Sequence, residues 1–323
     1  MRALFGIQLN GNGHATRSSI LIKALIDSGV DVDVITSGNN SQVEIPFPIL
    51  RHYEGLTMHL DGKGSVDWYN TLKKANVKQF LKDIKLDVRA YDFVISDFEP
   101  ISAWSARKCR VKSFGFGNQY AISMGKTAKP SKKDYLSELF IKRFARCEHN
   151  IPLTYDGIDG TFQPIIERSL FDMQMDGDFT LVYLPAMSTE TIMSTLSSKR
   201  FSDRKFKLYC KDLHGRKGNV EMIRIGSPTF KRDLAECESI ITAGGFSTTS
   251  EALALGKKLW SIPMRKQYEQ LCNAIQLRKM GVMTDGFHEE TLADWLKNWN
   301  SIGLVWQDPT EAIVKEILNE WRR

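Results

Sequence analysis

The chain has 323 residues, of which 42% are hydrophobic and 25% are charged, and its formal net charge is +6. This length is that of about two ordinary domains, and the composition is typical of a globular protein. No apolar run reaches the roughly 18–20 residues of a membrane-spanning helix. The five cysteines are scattered and form no Cys-x-x-Cys pair, which argues against a disulfide framework or a zinc site and favours a reducing cytoplasm.

The predicted elements alternate between strand and helix in two successive halves. The first half has strands at Arg2–Gln8, Asp31–Thr36, Tyr91–Ser96 and Lys112–Gly117, with helices at Thr16–Asp27, near Val66–Val88 and at Ile101–Lys108. After a looser segment the strands resume at Phe179–Leu184, Phe206–Cys210, Val220–Ile225, Ser239–Thr242 and Lys258–Ile262, and a last helix covers Pro309–Trp321. This alternation predicts an α/β protein with doubly wound parallel sheets. Because ligands bind at the carboxyl ends of parallel strands, two facing sheets would form an interdomain cleft.

The loop after the first predicted strand contains two glycines and a histidine. Gly11, Asn12, Gly13 and His14 precede the predicted helix, and Thr16 stands where a dinucleotide-binding fingerprint needs its third glycine. We therefore interpret the glycines as positions where the backbone approaches a substrate. An imidazole in such a loop can take a proton from an attacking hydroxyl. The alternative is that His14 only orders the loop.

Two carboxylates follow the strand predicted at Tyr91–Ser96. They are Asp97 and Glu99, and Pro100 after them is typical of a helix start. Either carboxylate can contact an acceptor or act as a base directly, and either can instead cap the helix.

The stretch from Ser239 to Gly281 combines a strand, a glycine turn and a polar helix start. Gly244 and Gly245 leave the strand, hydroxyl residues open the helix, and Glu251 lies one turn further on. A helix start exposes unpaired N–H groups and the positive end of the helix dipole, which suits a phosphate. Glu251 could then accept two ribose hydroxyls. Gln270 and Asn273 are three residues apart and would share a helix face that suits a sugar. An ordinary strand–turn–helix capped by Ser or Thr is the alternative.

With its Gly-Gly…Glu-Ala…Gln…Asn-Ala order over about forty residues, this stretch resembles the donor-binding half of GT-B glycosyltransferases of the UDP-glycosyltransferase type. It is similar to the bacterial enzyme that adds N-acetylglucosamine to the peptidoglycan lipid precursor. The resemblance implies two Rossmann-like domains facing a cleft. The acceptor-binding domain would cover 1–155, the nucleotide-sugar donor domain 156–305, and a C-terminal helix in 306–323 would pack back on the first domain.

The resemblance also implies roles for particular residues. Glu251 would hold the ribose, and Gln270 and Asn273 the donor sugar. His14 would act as general base with Asp97 as its partner, and Glu99 is the rival for that partnership. The remaining implied contacts are the acceptor loop Gly11, Asn12 and Gly13 and, on the donor side, Gly244, Gly245, Phe246, Ser247, Thr248, Ser188 and Phe230. Phe230 could cover the base or equally be a core residue of its helix.

The residue eight positions before Glu251 predicts the stereochemistry of the reaction. Many retaining GT-B enzymes carry a glutamate eight positions before the Glu-Ala glutamate, and Ala243 stands there in this chain. We therefore expect inversion, with the leaving diphosphate stabilised by helix N–H groups and by Ser247 and Thr248, and with no metal or other cofactor. Asp176-Gly177-Asp178 imitates an Asp-x-Asp metal motif, but a turn explains it more simply.

Residues 105–146 hold eleven Lys or Arg residues against Asp134 and Glu138, interleaved with Tyr, Leu, Ile and Phe. If helical, this segment would be a basic amphipathic surface able to lie on anionic lipid. It predicts a lipid-linked or acidic acceptor and a peripheral position on the inner face of the membrane. An ordinary solvated helix is the alternative. Nucleic acid is not expected, because no recognition module accompanies the charge.

Three functional hypotheses follow. The leading one is an inverting hexosyl- or N-acetylhexosaminyltransferase that uses a UDP-sugar, with the choice of uridine resting on the resemblance. The second is a non-hydrolysing nucleotide-sugar 2-epimerase, which would need no acceptor. The third is a catalytically silent relative that keeps the Glu251 site but has no working base.

Overall fold

The computed structural model describes residues 1–9, 11–38, 41, 43–55, 76–132, 134–264 and 266–323. Its first half contains a fully parallel sheet of six strands in the order β3-β2-β1-β4-β5-β6. The strands are β1 (Arg2–Gln8), β2 (Asp31–Ser37), β3 (Ile49–Tyr53), β4 (Phe93–Asp97), β5 (Ser113–Gly117) and β6 (His149–Pro152). The helices are α1 (Asn12–Asp27), α2 (Val77–Asp83), α3 (Pro100–Cys109), α4 (Asn118–Ser123) and α5 (Tyr135–Phe144).

The second half repeats this plan with a sheet in the order β12-β11-β7-β8-β10-β9, in which only β9 is antiparallel to its neighbour. Its strands are β7 (Phe179–Tyr183), β8 (Lys205–Cys210), β9 (Gly215–Lys217), β10 (Val220–Arg224), β11 (Ser239–Ala243) and β12 (Lys258–Ile262). The helices are α6 (Thr189–Leu196), α7 (Phe230–Glu236), α8 (Phe246–Ala254), α9 (Tyr268–Lys279) and α10 (Glu289–Asn298), with 3₁₀ turns at Arg168–Asp172 and Lys199–Phe201. The predicted boundary between residues 155 and 156 falls between β6 and β7.

The central strands form because their side chains can be buried on both faces, as parallel sheets covered by helices require. Leu4, Phe5 and Ile7 of β1 and Ile240 and Ile241 of β11 have no exposed surface. The predicted two doubly wound sheets are therefore present. Three strands were not predicted, namely β3, β6 and β9. All three lie at or next to a sheet edge, and β3 and β9 are mostly exposed.

Two predicted helices differ from the structure. The first begins at Asn12 instead of Thr16, so His14 lies in the first turn of α1 and not in a loop. Of the helix predicted near Val66–Val88, residues 66–75 lie outside the described residues, and α2 covers only Val77–Asp83.

The last helix, α11 (Thr310–Arg322), returns to the first domain and packs against α1. Its Ile313 and Ile317 are fully buried, and the Trp321 ring lies 6.1 Å from that of Phe93 in β4. Lys112 Nζ donates to the Glu320 carbonyl at 2.8 Å, where a cation suits the helix carboxyl end. The buried side chains of α11 are therefore part of the core of the first domain. Among the described helices, none is long and apolar enough to cross a membrane.

Candidate functional site

A cavity of about 550 Å³ lies where the carboxyl ends of the two sheets face each other. The first domain contributes the start of α1, the turn after β4 and the α4–α5 region. The second domain contributes the starts of α7, α8 and α9. Lining residues include Gln8, Gly11, Asn12, Gly13, His14, Arg17, Phe98, Gln119, Tyr183, Phe230, Lys231, Gly245, Phe246, Ser247, Thr248, Glu251, Glu269 and Gln270.

The first-domain wall is organised around one buried carboxylate, Asp97, at the end of β4. His14 Nδ1 lies 2.8 Å from Asp97 Oδ1. Asp97 Oδ2 accepts from Arg17 Nε and from Ser18 Oγ, each at 2.9 Å, and Arg17 Nη2 contacts Oδ1. The predicted partnership of His14 with Asp97 is therefore present in the geometry, as part of a four-residue network.

Asp97 is ionised in this network. Burial opposes the charge, but the Arg17 guanidinium and His14 outweigh it and hold the pKa of Asp97 at about 2. A carboxylate can accept only, so the hydrogen between Asp97 and His14 sits on Nδ1. Nε2 is then the ring nitrogen that remains to take a proton in the cavity.

Arg17 is a member of the site that the sequence interpretation missed. It is buried, and its guanidinium lies over the Phe116 ring with 5.6 Å to the ring centroid. The guanidinium and the imidazole both contact Asp97 Oδ1, and this brings Arg17 Nη2 to 2.9 Å from His14 Nδ1. With the helix starting at Asn12, positions 14, 17 and 18 fall on one face. A correct helix start would have identified Arg17.

Glu99 does not pair with His14, and its prediction as the rival partner is corrected. Its side chain caps α3 by accepting from Ile101 N at 2.8 Å and Ser102 N at 2.6 Å, and Ser37 Oγ donates to it at 2.7 Å. Burial raises the pKa of Glu99. The intervening Phe98 has a left-handed backbone with φ of 52°, a costly conformation that sends the two carboxylates to different partners.

Across the cavity, the first turn of α8 presents its N–H groups without a side-chain cap. Gly245, Phe246, Ser247 and Thr248 all line the cavity here. Gly13 of the first domain packs directly on this turn, since a β-carbon at Gly13 would lie 2.1 Å from Ser247 Oγ. Gly13 therefore allows close approach between the two domains, and because it also lines the cavity, its approach to a substrate stays a prediction.

Glu251 lines the cavity as predicted but already has a cationic partner. Its carboxylate forms an ion pair with Lys231 of α7, and the Glu251 side chain is almost fully buried. Lys231 also lines the cavity and was not predicted. The site therefore combines a carboxylate, an amine and a free helix amino end.

Gln270 and Asn273 do not face the cavity together. Gln270 lines it and accepts from the Met264 backbone N–H at 2.9 Å. Asn273 Nδ2 instead donates to the Gly244 carbonyl at 3.0 Å, and its Oδ1 accepts from Asn118 Nδ2 at 3.2 Å. Asn273 thus stabilises the glycine turn and the contact with the first domain. It is not among the residues described as lining the cavity. Its prediction as a direct sugar contact is corrected.

Glu269, which was not assigned a role, lies at the domain junction. Its two carboxylate oxygens accept from Asn118 Nδ2 at 3.2 Å and from Gln119 Nε2 at 3.1 Å. Both amides belong to α4 of the first domain. Glu269 therefore ties the second-domain half of the cavity to the first-domain half.

Of the two remaining predicted donor contacts, Phe230 lines the cavity, whereas Ser188 caps a helix. Ser188 caps α6 by accepting from Thr191 N at 3.2 Å and is not among the residues described as lining the cavity, so its phosphate contact stays a prediction. Phe230 lines the cavity and also packs edge-on against Tyr183 and Tyr209, with ring centroids 5.2 and 5.0 Å apart. This aromatic corner is compatible with both interpretations of Phe230.

The described residues contain no group of three His, Cys, Asp or Glu side chains with metal-binding geometry. In the Asp176–Asp178 turn, Asp178 pairs with Lys205 at 2.5 Å and precedes β7, at the sheet end opposite the cavity.

The two facing sheets and the cavity between them define a GT-B protein, and solved structures agree. The glycosyltransferase SnogD from Streptomyces nogalater is 16% identical, with 99% of this chain and 96% of that chain covered and a TM-score of 0.56. SsfS6 from Streptomyces sp. SF2575, complexed with thymidine diphosphate, is 15% identical, with 99% of each chain covered and a TM-score of 0.55. Arabidopsis thaliana UGT89C1, complexed with UDP-L-rhamnose, is 14% identical, with 99% and 93% covered and a TM-score of 0.57.

The sequence matches the model of glycosyl transferase family 1 over residues 1–299, and the chain belongs to that family. A search of curated proteins gave no significant match. The predicted resemblance and the predicted GT-B fold are confirmed. The protein is a glycosyltransferase of this fold.

Asp97→Asn should destabilise the protein strongly at neutral pH, by about 3–5 kcal/mol, because Arg17 would be left buried without its counter-charge. The depressed pKa of Asp97 means that its stabilising contribution is complete above the unfolded value of about 3.9 and is lost as the pH falls to about 2. Urea unfolding at pH 7, 4 and 2.5 should therefore show the gap between wild type and variant shrinking by about 2 kcal/mol between pH 7 and pH 2.5, with most of the change below pH 4. The exposed Asp176→Asn serves as control. A gap that does not change with pH would contradict this assignment.

Proposed function

We propose that this glycosyltransferase acts with inversion, using His14 as general base to activate an acceptor hydroxyl. The observation that carries the proposal is the buried His14–Asp97–Arg17 network facing the uncapped amino end of α8 across one cavity. A base on one wall and an anion site on the other suit in-line attack on a sugar between them.

In the proposed reaction, His14 Nε2 takes the proton as the acceptor oxygen attacks the anomeric carbon. The bond from that carbon to the nucleotide diphosphate breaks, and the diphosphate leaves with the electron pair. Asp97 stabilises the imidazolium that forms. The first turn of α8, the Ser247 and Thr248 hydroxyls and the Lys231 amine supply positive potential for the leaving group, so we propose that no divalent cation is needed.

The proposed donor is a sugar linked to UDP or dTDP. Two solved relatives were crystallised with thymidine diphosphate and with UDP-L-rhamnose, which supports a pyrimidine nucleotide. The Tyr183–Phe230–Tyr209 corner offers an aromatic surface for the base, and Glu251 offers a carboxylate for the ribose. Because Lys231 holds Glu251, ribose binding would exchange part of that ion pair for hydroxyl contacts.

Calorimetric titration in EDTA with UDP, dTDP, GDP, ADP and NAD should show selective binding of UDP or dTDP. Glu251→Ala should weaken this binding about 10- to 100-fold, since hydrogen bonds to a charged group contribute about 1.5–3 kcal/mol. Glu238→Ala, an exposed carboxylate before β11, is the matched control and should bind like wild type. Binding of none of these ligands, or of NAD best, would overturn the proposed donor.

His14→Ala should lower the rate of nucleotide diphosphate release from the sugar donor by about 10²–10⁴, because a general base contributes that factor. Affinity for the diphosphate should stay within about threefold of wild type, and the exposed His214→Ala should keep full activity. Unchanged turnover in His14→Ala would exclude His14 as the base. Conversion of the donor to an epimer without any acceptor would instead identify a 2-epimerase, and a wild type that binds the donor without turnover a silent relative.

We further propose that α5 lies on an anionic phospholipid surface and that the acceptor has an apolar tail. Leu136 and Leu139 are 81% and 51% exposed, beside exposed Lys142 and Arg143. Phe140 and Phe144 on the same helix line the cavity, so we propose that an apolar acceptor tail extends from this surface along these rings to the site. The segment 105–146, predicted as one basic surface, is divided in the structure among the end of α3, β5, α4 and α5, so the proposed lipid-facing surface is limited to α5.

Flotation with phosphatidylglycerol-rich vesicles should bring the wild-type protein to the lipid fraction at low salt. The double variant Leu136→Asp, Leu139→Asp should remain in the dense fraction, whereas Leu213→Asp, a change at an exposed leucine of the second domain, should float. Pure phosphatidylcholine vesicles should recruit less protein. A wild-type protein that stays in the dense fraction would exclude the lipid surface.

A further inference from the structure

The carboxylate proposed to hold the sugar ring of the nucleotide has one oxygen engaged and one oxygen free. Lys231 Nζ donates to Glu251 Oε1. Glu251 Oε2 has no hydrogen-bond partner among the residues that the structure describes, and it is not one of the polar atoms that are fully enclosed without a partner. Because Glu251 and Lys231 both line the cavity, a ligand there meets a single available carboxylate oxygen beside an amine.

The ion pair between these two residues is a fixed part of the cavity wall. The side chain of Glu251 is 7% exposed and that of Lys231 is 30% exposed, so the carboxylate has lost most of its contact with water. In the described part of the chain, Glu251 is the one hydrogen-bond and ion-pair partner of Lys231. Separating the two groups would leave a nearly buried carboxylate without its counter-charge, which is strongly unfavourable.

The neighbouring cation of the same helix is engaged elsewhere. Arg232 follows Lys231 in α7, and its guanidinium lies 3.5 Å from the Asp233 carboxylate and 3.6 Å from that of Glu236. It is not among the residues described as lining the cavity. The pairing of Glu251 therefore depends on Lys231 alone among these two cations.

The number of free carboxylate oxygens limits which sugar ring fits the site. A ribose presents vicinal 2′- and 3′-hydroxyls, and a carboxylate with two free oxygens can accept from both. With Oε1 engaged by Lys231, Glu251 can accept from one hydroxyl. The second hydroxyl would have to displace the amine or leave its hydrogen without an acceptor on this carboxylate, and both outcomes disfavour binding. A 2′-deoxyribose has the 3′-hydroxyl alone and leaves the ion pair intact.

We propose that the Lys231–Glu251 ion pair makes the site selective for 2′-deoxyribonucleoside diphosphates, so that the sugar donor carries dTDP in preference to UDP. This inference rests on the proposed function, because it assumes that Glu251 contacts the sugar ring of the nucleotide. Lys231 is then a specificity-determining residue, since it occupies the oxygen that a 2′-hydroxyl would need.

The test is calorimetric titration of the full chain in EDTA with two pairs of nucleotides that differ only in the 2′-hydroxyl. UDP is compared with dUDP, and 5-methyl-UDP is compared with dTDP. In each pair the 2′-deoxy ligand should bind about five- to tenfold more tightly, the value of one hydrogen bond. Equal binding within the pairs, or tighter binding of the ribonucleotides, would overturn the inference. Binding of UDP in that case would leave the proposed function standing.

Lys231→Met frees Glu251 Oε1 and should abolish or reverse the preference. All four ligands should bind this variant more weakly, because the amine also faces the proposed diphosphate site, so the affinity ratio within each pair is the readout. Lys231→Arg keeps a cationic donor for Glu251 and should retain the wild-type ratio. An undiminished ratio in Lys231→Met would assign the preference to another contact and would overturn the inference.

Arg232→Met is the matched control, because it removes the adjacent cation of α7 without touching the ion pair. It should keep the wild-type ratio in both pairs of nucleotides. Loss of the ratio in Arg232→Met as well as in Lys231→Met would show that the charge of α7 acts in general, and the role of the Lys231–Glu251 pair would be refuted. A wild-type protein that binds none of the four ligands would instead refute the proposed function itself.

Discussion

The arrangement of the first-domain wall depends on keeping one carboxylate charged in a fully buried position. Asp97 has no exposed surface, and such a charge persists only where opposite charge and hydrogen bonds replace water. Arg17 and Ser18 supply them from the helix that carries His14, so the strand end and the helix start are locked together. The orientation of the imidazole is therefore a property of the fold and does not wait for a substrate. Such preorganisation is what lets a weak base act efficiently.

The cavity has its shape because the two domains touch at several independent points around it. Gly13 meets Ser247, Glu269 accepts from two amides of α4, and the Tyr155 hydroxyl lies 2.8 Å from Thr249 Oγ1. The contacts involve different chemistry, namely close backbone packing, a carboxylate–amide cluster and a hydroxyl pair. Together they hold His14 and the first turn of α8 at opposing walls of one cavity.

The alternation of apolar strands with helices was sufficient to predict both sheets, because strands buried on two faces leave a strong sequence signal. Edge strands such as β9 leave little signal, since their residues Gly215–Lys217 are exposed. The glycines at 11 and 13 delayed the predicted helix start by four residues, and this hid Arg17 from the site. In fact, a β-carbon at position 13 would collide with a helix that is distant in sequence, which no local pattern reveals.

Side-chain roles were less predictable than positions. Asp97 and Glu99 are both carboxylates at the end of the same strand, but across the left-handed backbone of Phe98 one contacts the histidine and the other caps a helix. Similarly, the spacing of Gln270 and Asn273 was right for one helix face. The Asn273 amide nonetheless donates to the Gly244 carbonyl and accepts from Asn118. Tertiary packing brings both partners to it.

The return of α11 to the first sheet has a consequence for how the chain folds during synthesis. Ile313, Ile317 and Trp321 cover part of a core whose first strand is residues 2–8, so that core is incomplete until residues 310–322 have been translated. The second domain, although later in sequence, has its own sheet and helices before then. Domains usually fold in order from the amino end. Here the amino-terminal domain keeps part of its apolar core exposed until α11 has been synthesised. Complete folding of the first domain therefore depends on a helix that is translated after the second domain.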